Sequence, residues 1–273
     1  MRMDIIPYAG LCNRMRVMAS GYACARVLGY SARVHWTWSL AECRAKFQDL
    51  FELPSLPELE IVETNSLLYH PDNHLNLHLP SLLRSVAFKR VVKDYNFRDA
   101  ECRQSLSSHL KQQQISGDFA LCSMHQCGPN YPLKEIFRPR AEILREIDAL
   151  VPEESATDMV GVHIRRTDHA IAIKYASIEA YATAMQEELE RNPSCRFFLA
   201  TDDASVKDEL TRRFGKERLV TAQLVLRRDA RDGMVGAVID LFSLSRTGRI
   251  IGSFRSSYSE IAAELGNIPI RLP

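Results

Sequence analysis

The sequence predicts an α/β fold of two domains, the second a doubly wound sheet, and three observations carry that expectation. Short apolar runs alternate with helical stretches from residue 159 to the end, the pattern of a sheet with helices packed on both faces. Residues 3–36 start the same way, with a strand, a glycine turn, a helix and a second strand. Between them, residues 151–158 form a polar stretch with a proline near the middle of the chain, read as an interdomain linker. The expected domains are 1–150 and 158–273, a division that 273 residues allow.

The elements follow in order. Residues 3–8 are short and apolar and end in a glycine loop, a strand. Residues 13–28 carry Met15, Met18, Ala19, Tyr22, Ala23, Ala25 and Val27 at helical spacing, and Gly29 follows as a C-cap. Residues 33–36 read as a second strand. The pattern then becomes irregular from 41 to 57, punctuated by Pro54 and Pro57. His70, His74 and His78 are spaced by four, as metal ligands on a helix would be. Pro71, Asn73, Asn76 and Pro80 oppose a helix there, so a polar loop without metal is expected. Residues 119–123 read as a strand and 141–150 as a helix.

In the second half, 159–164 is a strand. Ser177 caps a helix over 177–191, with Tyr181, Met185 and Leu189 on one stripe. Residues 196–201 are a strand, 204–214 a helix closed by Gly215, and 219–220 a short strand. A helix over 236–245, a strand over 249–252 and a helix over 257–265 complete the pattern.

Lys plus Arg number 35 and Asp plus Glu 34, so no global attraction to nucleic acid or a membrane surface is expected. Basic residues gather locally instead, at Arg165-Arg166, Arg212-Arg213 and Arg227-Arg228, enough for one small anion. The seven cysteines include no CxxC pair, which suggests reduced buried thiols over a zinc site or a disulfide framework. Neither a signal-peptide pattern nor a run of about 18 apolar residues occurs. The expectation is a cytoplasmic protein without a transmembrane segment, with peripheral attachment to a membrane left open.

Ligands of doubly wound sheets bind outside the carboxyl ends of the strands, and three polar clusters fall at such ends. The first is 161–168. Strand alternation sends His163 and Arg165 to one face and Ile164 and Arg166 to the other. An arginine emerging there can grip two phosphate oxygens, and Asp168 can orient it. A surface salt bridge would use the same residues. The second cluster is Thr201-Asp202-Asp203. Capping of the next helix explains one acid; the pair could also bind a sugar or base edge or a divalent metal. The third is Gly252-Ser253-Phe254-Arg255-Ser256-Ser257, small hydroxyl residues at a helix start, a phosphate cradle or a simple cap. The first loop, 9–16, lacks both GxGxxG and the P-loop Lys-Ser/Thr pair, which disfavours dehydrogenase and ATPase readings.

HIRRTD at 163–168, SIEAY at 177–181, ATDD at 200–203 and SFRSS at 253–257 resemble, in this order, motifs of the α1,2/α1,6- and protein O-fucosyltransferase superfamily. The resemblance is nearest to the branch of α1,6-fucosyltransferases and bacterial nodulation fucosyltransferases. GLCNRMR at 10–16 is similar to the first-loop motif of bacterial relatives.

The resemblance implies a GT-B fold, two Rossmann-like domains with a cleft between them. It also implies inverting transfer of L-fucose from GDP-fucose to a glycan or oligosaccharide, without a metal. Residues 1–150 would serve the acceptor and 158–273 the donor. Arg166 would hold the diphosphate, with Arg165 and His163 lining the donor site. Asp202 and Asp203 would contact guanosine or position neighbours. Thr201, Asp168, Asp240, Ser253, Phe254, Ser256 and Ser257 would complete the site, with Asn13 and Arg14 from the first loop. The α1,6 branch carries Lys directly after Asp168 and Glu five residues on; here those places are His169 and Ile173. His169 is the base expected in their place. The alternatives are another nucleotide-sugar donor, or a nucleotide- or glycan-binding module without turnover.

Overall fold

The computed structural model describes residues 1–38, 42–64, 90–98, 104–114, 117–167, 170–223 and 229–273, with 170–172 described by backbone alone. The chain divides into two compact units, Met1–Arg140 with Arg227–Met234, and Ala141–Leu226 with Val235–Pro273. The stretch 151–158 lies inside the second unit. Pro152 precedes a short helix, Glu153–Ala156, and Val151 is fully buried. Proline suits the start of a helix as well as a linker, which is why sequence alone does not separate the two.

The first unit contains β1 (Arg2–Pro7), α1 (Leu11–Leu28), β2 (Ser31–Thr37), α2 (Phe47–Leu50), β3 (Leu59–Thr64), β4 (Arg90–Lys93), α3 (Leu106–Gln112), β5 (Phe119–Ser123) and α4 (Leu133–Ile136). Its strands pair in the order β3-β2-β1-β5-β4, all parallel. The central strand β1 is almost wholly buried, as a parallel strand covered on both faces must be. Helix α1 ends at Gly29, whose φ of 71° places it in the left-handed region that closes helices. Trp36, Phe47, Phe51 and Phe137 form one buried aromatic cluster, Trp36 meeting Phe47 edge to face at 5.4 Å.

The second unit contains α5 (Ala141–Leu150), α6 (Glu153–Ala156), β6 (Met159–Ile164), α7 (Ala170–Tyr175), α8 (Ile178–Arg191), β7 (Arg196–Thr201), α9 (Ala204–Phe214), β8 (Leu219–Val220), most of α10 (Arg231–Arg246), β9 (Arg249–Ile251), α11 (Ser257–Gly266) and β10 (Ile270–Arg271). The strands pair in the order β10-β9-β6-β7-β8, again all parallel. Val160, Val162, Ile164, Phe197 and Leu199 of the central strands pack with Tyr181, Met185 and Leu210 of the covering helices. Helix α10 begins at Arg231, ahead of the expected 236, because Gly233 and Gly236 are carried within it. Burial of β6 and β7 fixes their register, pairing Ile164 with Thr201. The loops that follow these two strands therefore leave the sheet side by side. No helix among the described residues is long and apolar enough to cross a membrane.

Candidate functional site

The loop after β6 is clamped by the loop after β7. Asp202 accepts from the backbone N–H of Arg166 at 2.8 Å and from the Thr167 hydroxyl at 2.8 Å, and it pairs with Arg165 Nη1 at 2.5 Å. Burial pulls the Arg165 guanidinium below its ordinary range, and Asp202 opposes that shift. Asp203 does separate work. It caps α9, accepting from the Ser205 N–H at 2.8 Å and hydroxyl at 2.6 Å, which holds its carboxyl below the usual range. Thr201 is buried, and its hydroxyl accepts from the Asp203 N–H at 3.3 Å. The two adjacent acids thus divide into a loop clamp and a helix cap.

Arg166 is held differently from Arg165. It is 8% exposed, Nη1 donates to the Ala176 carbonyl at 3.0 Å, and the guanidinium carbon lies 5.9 Å from the Tyr181 ring centroid. Its Nε and Nη2 are buried without a hydrogen-bond partner among the described residues. Buried charged donors left unpaired cost free energy, on the order of a few kcal/mol. Such a pair of N–H groups on one face of a guanidinium is the fork that grips two oxygens of a phosphate or carboxylate.

The turn after β9 forms the neighbouring wall. Ser253 Oγ donates to the His163 carbonyl at 2.9 Å, accepts from the Arg165 N–H at 2.9 Å and accepts from the Tyr181 hydroxyl at 2.8 Å. Ser259 Oγ accepts from the Ser253 N–H at 3.0 Å and, with its own proton, meets His163 Nδ1 at 2.7 Å. This assignment makes His163 a neutral ring protonated at Nε2. Burial agrees with it, pushing the His163 imidazole down to about 3. The ring stacks on Tyr258 at 4.8 Å. Ser256, buried, is the N-cap of α11 but makes no side-chain cap bond, and Ser257 behind it is half-buried. The N-terminal end of a helix carries the positive end of its dipole, which favours anions. Phe254 stacks on Tyr175 of α7 at 4.1 Å with 4° between the ring planes.

Asp240 stands on α10. Burial pushes its carboxyl up to about 7, opposed by Lys207, and its Oδ1 is buried without a hydrogen-bond partner among the described residues. Lys207 donates to the Ala222 carbonyl at 2.8 Å, and the Tyr258 hydroxyl ties α11 to α10 through the Ala237 carbonyl at 2.6 Å.

In the first unit, Arg14 is fully buried and closes its own turn. Nε donates to Ala9 O at 2.8 Å, Nη1 donates to Thr37 O, and the guanidinium lies 5.5 Å from the Trp36 ring. Nη2 is buried without a partner among the described residues, and Asn13 beside it is half-buried. His163, Arg165, Arg166, Thr201, Asp202, Asp203, Ser253, Phe254, Ser256 and Ser257 surround the strand ends of the second unit, with Asp240 one helix away. Asp168 and His169 lie outside the described residues, as do His70, His74 and His78. The hydroxyls of Tyr181 and Ser259, which hold this site together, were not legible as site residues. Tyr181 sits on an ordinary buried stripe, and Ser259 has the look of any small helix residue.

The chain resembles solved fucosyltransferases along nearly its whole length. It is 19% identical to NodZ α-1,6-fucosyltransferase soaked with GDP-fucose, covering 97% of this chain and 92% of that one at a TM-score of 0.63. A NodZ structure in this group comes from Bradyrhizobium. A mutant of Arabidopsis thaliana FUT1 in complex with GDP gives 14% identity, coverage of 100% and 70%, and a TM-score of 0.61. POFUT1 in complex with GDP gives 12%, 99% and 98%, and 0.55. These likenesses establish the GT-B fold. The α-(1,6)-fucosyltransferase of Drosophila melanogaster is 31% identical over a segment covering 39% of this chain and 19% of that protein. The chain thus spans about a fifth of the curated relative it matches. Residues 131–268 match the family model for α-(1,6)-fucosyltransferase N- and catalytic domains. That segment is half of the chain and contains Arg166, Asp202, Asp240 and the turn at Ser253, so the chain belongs to the α-(1,6)-fucosyltransferase family.

Proposed function

We propose that the protein is an inverting glycosyltransferase that moves L-fucose from GDP-fucose to a hydroxyl of a glycan or oligosaccharide. The observation that carries this reading is Arg166, a nine-tenths-buried guanidinium with two donors unpartnered among the described residues. Family membership and the GDP and GDP-fucose named for NodZ, FUT1 and POFUT1 support the choice of donor.

In this scheme Arg166 grips the diphosphate and Ser256, Ser257 and the end of α11 take further oxygens. Negative charge builds on the leaving phosphate as the bond to the sugar breaks, and a fixed guanidinium there lowers the barrier. Guanidinium groups, without a metal, supply the neutralisation. Asp202 keeps Arg165 and the loop in place, while neutral His163, Thr201, Asp203 and Phe254 shape the surroundings. The Asp240 carboxylate accepts the two N–H donors on the guanine edge. His169 takes the proton of the acceptor hydroxyl, which attacks the anomeric carbon opposite the leaving group and so inverts it. Residues 1–150, with Asn13 and Arg14, serve the acceptor, and 158–273 serve the donor.

A second reading, a nucleotide- or glycan-binding module without turnover, is favoured by Ile173, an apolar side chain 44% exposed where the α1,6 branch carries an acid. Calorimetric titration with GDP in EDTA tests the donor site, with Arg166→Ala as comparison. A loss of about 1.5–3 kcal/mol is expected for one charged contact. A panel of GDP-sugars and acceptors follows; binding without transfer or donor hydrolysis would favour the module. Binding of a different nucleotide in place of GDP would reject the fucosyl assignment.

A further inference from the structure

We propose that Arg255 is a second cation of the anion site, contacting the terminal phosphate of the nucleoside diphosphate alongside Arg166; this rests on the donor reading above. Arg255 stands in the turn between β9 and α11, a helix of ten residues. Its φ is 53°, in the left-handed region that glycine adopts freely and arginine resists. Strain kept at a residue in a ligand-facing turn points to a task for its side chain.

That side chain is exposed, and its guanidinium carbon lies 5.4 Å from the centroid of the Phe254 ring. No carboxylate among the described residues pairs with it. The same turn carries Ser253, bonded to the backbone of Arg165 and to Tyr181, whose ring lies beneath Arg166. The turn therefore walls a site where a buried guanidinium has two N–H groups without an acceptor among the described residues. Arg166 is buried and Arg255 is exposed, so Arg255 occupies the solvent side. A terminal phosphate bearing a sugar for transfer must face that side.

The test is calorimetry on the full chain with GDP and with GMP, for wild type, Arg255→Gly and Arg255→Lys. Glycine removes the charge while accepting a φ of 53°, so the turn survives. GDP affinity is expected to fall about 10- to 100-fold in Arg255→Gly, the size of one charged hydrogen-bonded contact. GMP affinity should change less than about threefold, and Arg255→Lys should recover part of the loss as a point charge without the fork. Wild-type GDP affinity in Arg255→Gly overturns the proposal and leaves the donor reading standing. Equal losses for GDP and GMP also overturn it, marking Arg255 as a support of the turn. Failure of the wild type to bind either nucleotide removes the donor reading and this inference with it.

Discussion

Burial pushes the Asp240 carboxyl up to about 7, so near neutral pH the group is divided between acid and carboxylate. Guanine offers donors, so only the carboxylate can accept both. GDP affinity is therefore expected to rise from about pH 6 to about pH 8, with proton release on binding near neutrality. Asp240→Asn should flatten that profile and erase the preference for GDP over IDP, which lacks the exocyclic amine. A pH-independent wild-type affinity would count against the assignment. Stability of the ligand-free protein carries the opposite trend. The raised carboxyl makes the folded state bind the extra proton between about 4 and about 7, so its contribution is lost as pH rises through that window. Asp240→Asn should raise Tm above about pH 7 and leave it unchanged near pH 4. His163, pushed down to about 3, works in the reverse sense, its contribution being lost as pH falls from the ordinary histidine range. The two oppose each other in mild acid, so variant-minus-wild-type differences, measured by thermal melts, separate them.

At the level of elements, close approach and ion pairing hold the sheet of the second unit. A Cβ on Gly161 of β6 would lie 2.8 Å from Thr247 Oγ1 and 3.0 Å from Leu244 Cδ2. Gly161→Ala must push the end of α10 off the strand, and a loss of about 1–3 kcal/mol is expected in urea unfolding. Unchanged stability would mean that α10 packs more loosely than described. Glu188 of α8 is 1% exposed and pairs with Arg249 of β9 at 2.6 Å and Arg271 of β10 at 3.0 Å. Glu188→Ala takes the carboxylate from Arg249 and leaves Arg271 with Glu187 at 3.3 Å. Water reaches both arginines in part, so about 1–3 kcal/mol is lost, less than a fully buried pair would forfeit. Thermal melts at high salt should show little attenuation of that difference, because the carboxylate is shielded from ions. The strong elements were legible from periodicity and caps: α1 with Gly29, α8 with Ser177, β6 and β7. Of the short ones, β8 and β9 were read from their place between helices, while β4, β10, α4 and α7 were not. None of those four joins an apolar run to a cap that would mark it, and tertiary pairing decides them.

For the whole molecule, the proposed function puts the donor site in the second unit, and a ligand should report that. With free GDP at about 100 times its Kd, the folded state gains about 2.7 kcal/mol, visible as a higher Tm. Hydrogen exchange should slow at the backbone of the loops after β6, β7 and β9 and at the start of α11. Protection confined to β1, β2 and α1 would move the donor site to the first unit and reject its placement.

The sequence by itself determined the α/β class and the strand ends that carry polar clusters, because periodicity, glycine caps and strand alternation are local properties. It also carried the resemblance on which the donor was chosen. Strand alternation left Arg165 and Arg166 equivalent, and only the resemblance set Arg166 on the diphosphate. Arg165 and Arg166 are equal as residues; Arg165 is paired because the β6–β7 register brings Asp202, 37 positions on, against its guanidinium. Asp203 was readable as the cap of the next helix, but the sequence did not show that Asp202 clamps the neighbouring loop, nor separate a linker from a short helix at 151–158. Those differences lie in contacts between segments distant in sequence, and only packing creates them.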